Sequence, residues 1–269
     1  MVSPVVLNRH WRRAHSMGNR NWRIASTGGY GASIAAAVRP TYYGGMEATS
    51  IFRIKICGIT SAGDALVAAR AGVDAIGLNF WPQSRRFVSI ETAREIVAAA
   101  PRNVAKVGVF VNSTPADIAA IVDAVGLDWI QLHGGEPPEL LAKLPPRVPI
   151  LLAFRCGEKG LAPLTQYLNA AQVNGRVPEA VLVDADSAGD FGGTGRLADW
   201  AQIAHDRNQL GGLRLILAGG LTPQNVAAAI EAVRPDGVDA ASGVEVRPGV
   251  KDAILIENFV AAARVAFGV

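Results

Sequence analysis

Cysteine occurs only twice in this chain, and neither residue belongs to a cysteine-rich spacing. That excludes a disulfide framework, and with no clear secretory signal it points to a reducing cytoplasm. No apolar run approaches the roughly 18 residues needed to span a membrane. Aromatic residues make up 6% and charged residues 18% of the chain, while half of it is hydrophobic. Such a composition rules out a disordered protein and suits parallel strands buried on both faces. No Gly-x-Gly-x-x-Gly follows the first strand, so a dinucleotide fold lacks its fingerprint. His133 has no companions at metal-ligand spacing, so no metal site is expected.

Acidic residues are missing from the first 45 positions, which carry Arg9, Arg12, Arg13, Arg20, Arg23 and Arg39. The remainder holds 20 basic against 23 acidic residues, so the formal charge of +3 belongs to the leader and the body is mildly acidic. Nothing in the body suggests a nucleic-acid or membrane surface. Residues 1–50 show neither helical nor strand periodicity and are expected to be poorly ordered. A transit peptide and a basic arm are both open readings. The one favoured here is an upstream extension without a structural role, the compact protein beginning near Met46.

From Phe52 onward the pattern becomes regular. Arg53–Cys57 reads as a strand, followed by a helix over Ala62–Ala71 that leaves through Gly72. Further strands are predicted at Ala75–Phe80, Val104–Val111, Trp129–Leu132, Pro149–Phe154, Ala180–Val183, Leu213–Leu217 and Val238–Ala240. Helices lie between them, one of them over Pro137–Leu144, and a last one covers Ile254–Phe267. Eight strands alternating with eight helices predict a (β/α)8 TIM barrel, one α/β domain over residues 51–269. An open doubly wound sheet is the structural competitor.

In such a barrel the site lies at the C-terminal ends of the strands. Those ends carry Cys57, Ser84-Arg85-Arg86, Gln131-Leu132-His133-Gly134 and Asp184, then glycine turns at Gly192–Gly195, Gly219-Gly220 and Ser242-Gly243. Backbone amides at glycine turns make an anion nest, and barrels commonly build a phosphate site after strands seven and eight. A small phosphorylated substrate is therefore expected. Cys57 shares the inward face of its strand with Lys55, a plausible source of a lowered thiol pKa. Asp184 ends an apolar strand, where desolvation would raise its pKa and let it act as an acid. An acid and a base across one phosphorylated ligand suit isomerisation by proton transfer. Arg85-Arg86, expected far around the rim from the phosphate loops, could be a solvated pair or a fork for a second anion, such as a carboxylate.

Taken in order, Lys55–Thr60, Gly77–Phe80 with Ser84-Arg85-Arg86, Val107–Phe110, Gln131–Gly134, Gly192–Gly195, Leu217–Leu221 and Ser242–Glu245 closely resemble the phosphoribosylanthranilate isomerase family. The resemblance implies a barrel enzyme of tryptophan biosynthesis. It would convert N-(5-phosphoribosyl)anthranilate to the 1-(2-carboxyphenylamino)-1-deoxyribulose 5-phosphate by an Amadori rearrangement, with no metal or cofactor. It implies Cys57 as general base at C2′, Asp184 as the acid that opens the ribose ring, and Arg86 as carboxylate ligand. His133, Gly193, Gly195, Gly219, Gly220, Ser242 and Gly243 are the remaining substrate-binding candidates. Two departures stand out: Ala241 replaces a serine common in the family, and the loop holding Asp186 and Asp190 is variable there. Asp186 is the local rival for the acid. Cys156, across the barrel from Cys57, is read as structural or incidental. A monomer and a homodimer are both open. The rivals are another phosphosugar barrel, which would lack Cys57, and a barrel that binds such a ligand without turning it over.

Overall fold

A computed structural model describes residues 51–157, 159–185 and 200–269. The leader at 1–50, the glycine turn Gly192–Gly195, and Asp186 and Asp190 lie outside the described residues.

Eight strands close into a parallel barrel in chain order: β1 (Ile54–Cys57), β2 (Ala75–Asn79), β3 (Ala105–Phe110), β4 (Trp129–Leu132), β5 (Ile150–Arg155), β6 (Ala180–Asp184), β7 (Arg214–Ala218) and β8 (Gly237–Ala240). The first and last strands pair directly, with Lys55 opposite Asp239. An open sheet is thereby excluded. Around the barrel run α1 (Ala62–Ala71), α2 (Ile90–Ala99), α3 (Pro115–Val125), α4 (Ala162–Val173), α5 (Trp200–Asp206), α6 (Val226–Val233) and α7 (Ala253–Phe267).

Helix starts follow side-chain chemistry. The hydroxyls of Ser61, Ser89 and Thr114 accept from the backbone amides of Asp64, Thr92 and Asp117, at the entries to α1, α2 and α3. The fourth connection differs from expectation. Pro138–Lys143 forms a 3-10 helix instead of an α-helix, with Leu140 N donating to Pro137 O at 3.0 Å. Pro137-Pro138 and Pro145-Pro146 bracket this segment, so too few amides remain between them for an α-helix to propagate. After β8 the chain adds a 3-10 turn (Ser242–Val244) and a short hairpin, β9 (Glu245–Arg247) with β10 (Val250–Lys251), which the periodicity does not reveal.

Alternation along each strand sorts the core into two shells. Ile54, Ile56, Ile76, Leu78, Val181 and Val183 pack outward against the helices. Phe52, Ala75, Val107, Trp129, Leu151 and Ile216 fill the barrel interior. Phe52 and Trp129 meet edge to face at 5.5 Å, near the start of their strands, and stop the lower end.

The lower rim also carries a repeated device. A carboxylate just before every even-numbered strand accepts from the first amides of the strand before it. Asp74 takes Arg53 N and Ile54 N, both at 2.9 Å, and Asp128 takes Lys106 N at 2.8 Å. Glu179 takes Ile150 N at 2.6 Å and Asp236 takes Leu215 N at 2.9 Å. Each satisfies an edge amide that the parallel ladder leaves over. The rim opposite the site is thus fixed by charge-assisted bonds, which leaves the upper ends to chemistry.

Candidate active site

Inward-facing residues at the top of the barrel line one pocket. Cys57, Asn79, His133, Arg155, Asp184 and Asp239 all reach it from the barrel strands or the residue just past them. Cys57 and Asp184 therefore share one opening, as the reading of the strand ends requires. Cys156 also lies partly exposed, but it is not among the pocket-lining residues.

Cys57 sits opposite Gly77 in the β1–β2 register. A Cβ at Gly77 would lie 2.7 Å from the Cys57 sulfur, so glycine there makes room for the thiol. Beneath it Lys55 is fully buried, its Nζ donating to Asp239 Oδ1 at 2.9 Å. The expected lowering of the Cys57 pKa does not occur. Burial pushes the thiol above its ordinary value, and Asp239 adds to that, outweighing the opposite pull of Lys55 and Lys251. For Lys55, burial alone would lower the pKa. The charge of Asp239, and then that of Cys57, more than offset it, so the ammonium stays charged.

Asp184 ends β6 with its side chain 17% exposed, and His133 Nε2 lies 3.8 Å from its Oδ2. Burial, reinforced by the charges of Lys55 and Arg155, lowers the His133 pKa to about 4. The imidazole is then neutral near pH 7, and the contact is dipolar rather than an ion pair. Gln131 Nε2 lies 3.0 Å from His133 Nδ1. With the amide donating there, the imidazole proton sits on Nε2 and points at Asp184. His133 thus faces Asp184.

Arg86 is not remote from the glycine turns after β7 and β8, contrary to the expectation from strand order. Its side chain folds over Gly58, where a Cβ would collide with Arg86 Cδ, and reaches the segment after β8. There Nε and Nη2 donate to the Glu245 carboxylate at 2.8 and 2.7 Å. Gly58 has φ of 74°, a left-handed conformation that glycine adopts without strain. One residue thus ends β1, frees the backbone to turn and makes way for the arginine. Strands one and eight are neighbours in a closed barrel, so the loop after strand two needs to cross only one strand.

The turns after β7 and β8 form another part of the pocket wall. Gly219, Gly220, Leu221, Ala241 and Ser242 line it. Gly219 and Gly220 have φ of 92° and 61°, and Asn225 clamps the turn through Nδ2 to Gly220 O at 3.0 Å and Oδ1 from Thr222 N at 2.8 Å. Gly243 stands behind this wall, not in it: any Cβ there would strike the Leu221 carbonyl. Its glycine is needed so that the two loops can touch. Gly193 and Gly195, the other candidates on this side, fall outside the described residues.

Several residues went unnoticed in the sequence. Asp239, in the middle of the apolar strand Gly237–Ala240, carries the same signal as Asp184, a carboxylate without a packing reason. Glu245 and Lys251 bond at 2.8 Å with side chains 3% and 1% exposed. Their spacing gives no hint of it, because the pairing depends on the hairpin. Trp81 also lines the pocket, beside Ser84. Among the described residues no group of three or more His, Cys, Asp or Glu could hold a metal ion. No helix among them is long and apolar enough to cross a membrane.

Comparison with known proteins bears directly on this geometry. A sequence profile of the family described as N-(5'phosphoribosyl)anthranilate (PRA) isomerase matches residues 54–262. An N-(5'-phosphoribosyl)anthranilate isomerase of Rubrobacter xylanophilus is 43% identical over 216 residues, covering 79% of this chain and 98% of that protein. The crystal structure of phosphoribosyl anthranilate isomerase from Thermotoga maritima superposes with a TM-score of 0.71 at 38% identity, over 80% of this chain and 100% of that one. A structure of such an isomerase in complex with reduced 1-(o-carboxyphenylamino)-1-deoxyribulose 5-phosphate gives 0.68 at 38% identity, again over 80% and 100%. A profile match from the first barrel strand into the last helix, joined to relatives matched over nearly their whole length, leaves one conclusion: the chain belongs to the N-(5'-phosphoribosyl)anthranilate isomerase family.

Proposed function

We propose that Cys57 and Asp184 carry out the isomerisation of N-(5'-phosphoribosyl)anthranilate in this chain, as base and acid. The pocket they share supports this reading more than any other observation. Asp184, protonated, gives its proton to the ribose ring oxygen as the C1′–O bond breaks, and the anthranilate nitrogen takes up the electron deficit as an iminium. Cys57, as thiolate, removes the C2′ proton, and the electron pair flows to the nitrogen to give an enolamine. Its tautomerisation leaves a ketone at C2′ and a methylene at C1′. All atoms are conserved, and the scheme draws on no metal or cofactor.

Each wall has a chemical counterpart on the substrate. Amides of Gly219, Gly220 and Ser242, with Gly193 and Gly195, receive the phosphate, while Gly243 behind them lets the two loops meet. Arg86 receives the carboxylate through the edge of its guanidinium that Glu245 does not use. The neutral His133 turns its Nε2 toward Asp184 at 3.8 Å, beyond a direct hydrogen bond. With Ala241 where the family commonly has serine, one hydroxyl fewer is offered to the phosphate, and Ser242 supplies the one that remains. All these residues come from one chain, so the scheme serves a monomer and a homodimer alike. A cytoplasmic location fits a biosynthetic step and two free thiols.

Purified protein given N-(5'-phosphoribosyl)anthranilate should consume it, seen as a change in anthranilate fluorescence, and release the carboxyphenylamino-deoxyribulose phosphate in equal amount. Tight binding of that product with no turnover would instead support a ligand-binding barrel and reject the isomerase reading.

A further inference from the structure

We propose that Glu245 is the positioning residue that aims Arg86 into the pocket, and that this sets the preference for a substrate bearing a carboxylate. The inference rests on the reading of Arg86 as the carboxylate ligand. Glu245 Oε1 accepts from Arg86 Nε at 2.8 Å and from Lys251 Nζ at 2.8 Å, while Oε2 accepts from Arg86 Nη2 at 2.7 Å. This side-on pairing consumes the Nε edge of the guanidinium. Both hydrogens on Nη1 and one on Nη2 remain, and they form the end-on fork that fits a second carboxylate. Arg86 lines the pocket beside Cys57 and Gly58.

Two physical effects make the pairing useful. A free arginine loses much rotamer entropy on gripping a ligand, whereas one already fixed by Glu245 has little left to lose. Charge is balanced as well. Lys251 Nζ, 1% exposed, also donates to Ala241 O at 3.0 Å, so it neutralises Glu245 from the far side. Burial alone would raise the Glu245 pKa, but the bonds from Arg86 and Lys251 hold it below its usual range. Arg86, Glu245 and Lys251 then carry one net positive charge, which matches one carboxylate. The hairpin bearing Glu245 is tied to the loop after β1 by Thr60 Oγ1, which donates to Gly249 O at 2.5 Å, so the aim of Arg86 is fixed relative to Cys57.

The test uses Glu245→Gln, which replaces one acceptor with a donor facing the guanidinium. Two inhibitors are titrated: the reduced product analogue built on anthranilate, and its aniline counterpart, which lacks the carboxylate. The expected result is a roughly 10-fold or larger rise in the Kd of the anthranilate analogue, the loss of one charge-assisted contact. The aniline analogue should change less than about 2-fold. KM for the substrate should rise while kcat falls far less, and in an Arg86→Ala background Glu245→Gln should add almost nothing. Equal weakening of both analogues would make Glu245 a hairpin anchor only and overturn the inference. So would an unchanged Kd in Glu245→Gln when Arg86→Ala alone abolishes the carboxylate preference. If Arg86→Ala itself keeps that preference, the reading of Arg86 fails first and takes this inference with it. Should Glu245→Gln not fold, Glu245→Gln/Lys251→Met removes the stranded ammonium together with the carboxylate and takes its place in the same titrations.

Discussion

Lys55 Nζ lies 2.9 Å from Asp239 Oδ1 inside the barrel, between strands that pair these two residues in register, and Cys57 stands directly above. The lysine's charge thus acts on both the Asp239 side chain and the Cys57 thiol. Asp239→Asn should release it and lower the Cys57 pKa. Lys55→Met should raise that pKa further and destabilise the fold by about 3–5 kcal/mol, because it strands a buried carboxylate. Thiol titration with a chromogenic disulfide, using a Cys156→Ser background, measures both shifts, and movement in the opposite directions would reject this electrostatic scheme.

A thiol held above its ordinary 9.0 is mostly protonated at neutral pH, and the proposed base is its thiolate. The value of kcat/KM should therefore climb with pH through the alkaline range, with an apparent pKa above 9.0. In Asp239→Asn the rise should shift to lower pH. Steady-state kinetics from about pH 6 to about pH 10.5 checks both.

His133 titrates at about 4 in the folded protein against an ordinary 6.5. The unfolded chain therefore binds its proton first as pH falls. The stability tied to a neutral His133 is complete above 6.5 and declines from there to about 4, by up to roughly 3 kcal/mol. His133→Asn should flatten that part of the profile. Urea midpoints measured across this window give the comparison.

Any side chain at position 243 meets the carbonyl of Leu221, which is backbone and cannot swing aside. Gly243→Ala should push apart the loops after β7 and β8, the proposed phosphate site. We expect a loss of about 1–3 kcal/mol in stability and a KM increase of about 10-fold or more, with kcat less affected. Melting temperature and steady-state kinetics report the two effects separately.

The barrel itself was readable because its signal is local. Each inward–outward alternation, each serine or threonine before a helix and each glycine after one lies within a few residues of the element it shapes. Cys57 and Asp184 were readable for the related reason that a strand end is also a pocket wall in this fold. Relations fixed by closure of the barrel were not. Arg86 was placed far from the phosphate loops because strand order puts two beside one and hides that eight is beside one as well. The Glu245–Lys251 pair, needing both closure and a short hairpin, left no trace in the spacing. The direction of the Cys57 shift was misjudged because burial of the thiol outweighs the pull of Lys55, and Asp239, 182 positions away in the chain, adds to it. The four rim carboxylates were visible as Asp74, Asp128, Glu179 and Asp236 before alternate strands, a periodicity that strand-by-strand reading passes over.

The sharpest check is kcat for Cys57→Ser and for Asp184→Asn, each paired with the Kd of the reduced product analogue. Both rates should fall by about 10²–10⁴-fold or more, as expected when one oriented proton-transfer group is removed, with the analogue still bound within a few-fold of wild type. Near wild-type kcat in either variant, with folding and analogue binding intact, would show that the residue moves no proton in the reaction.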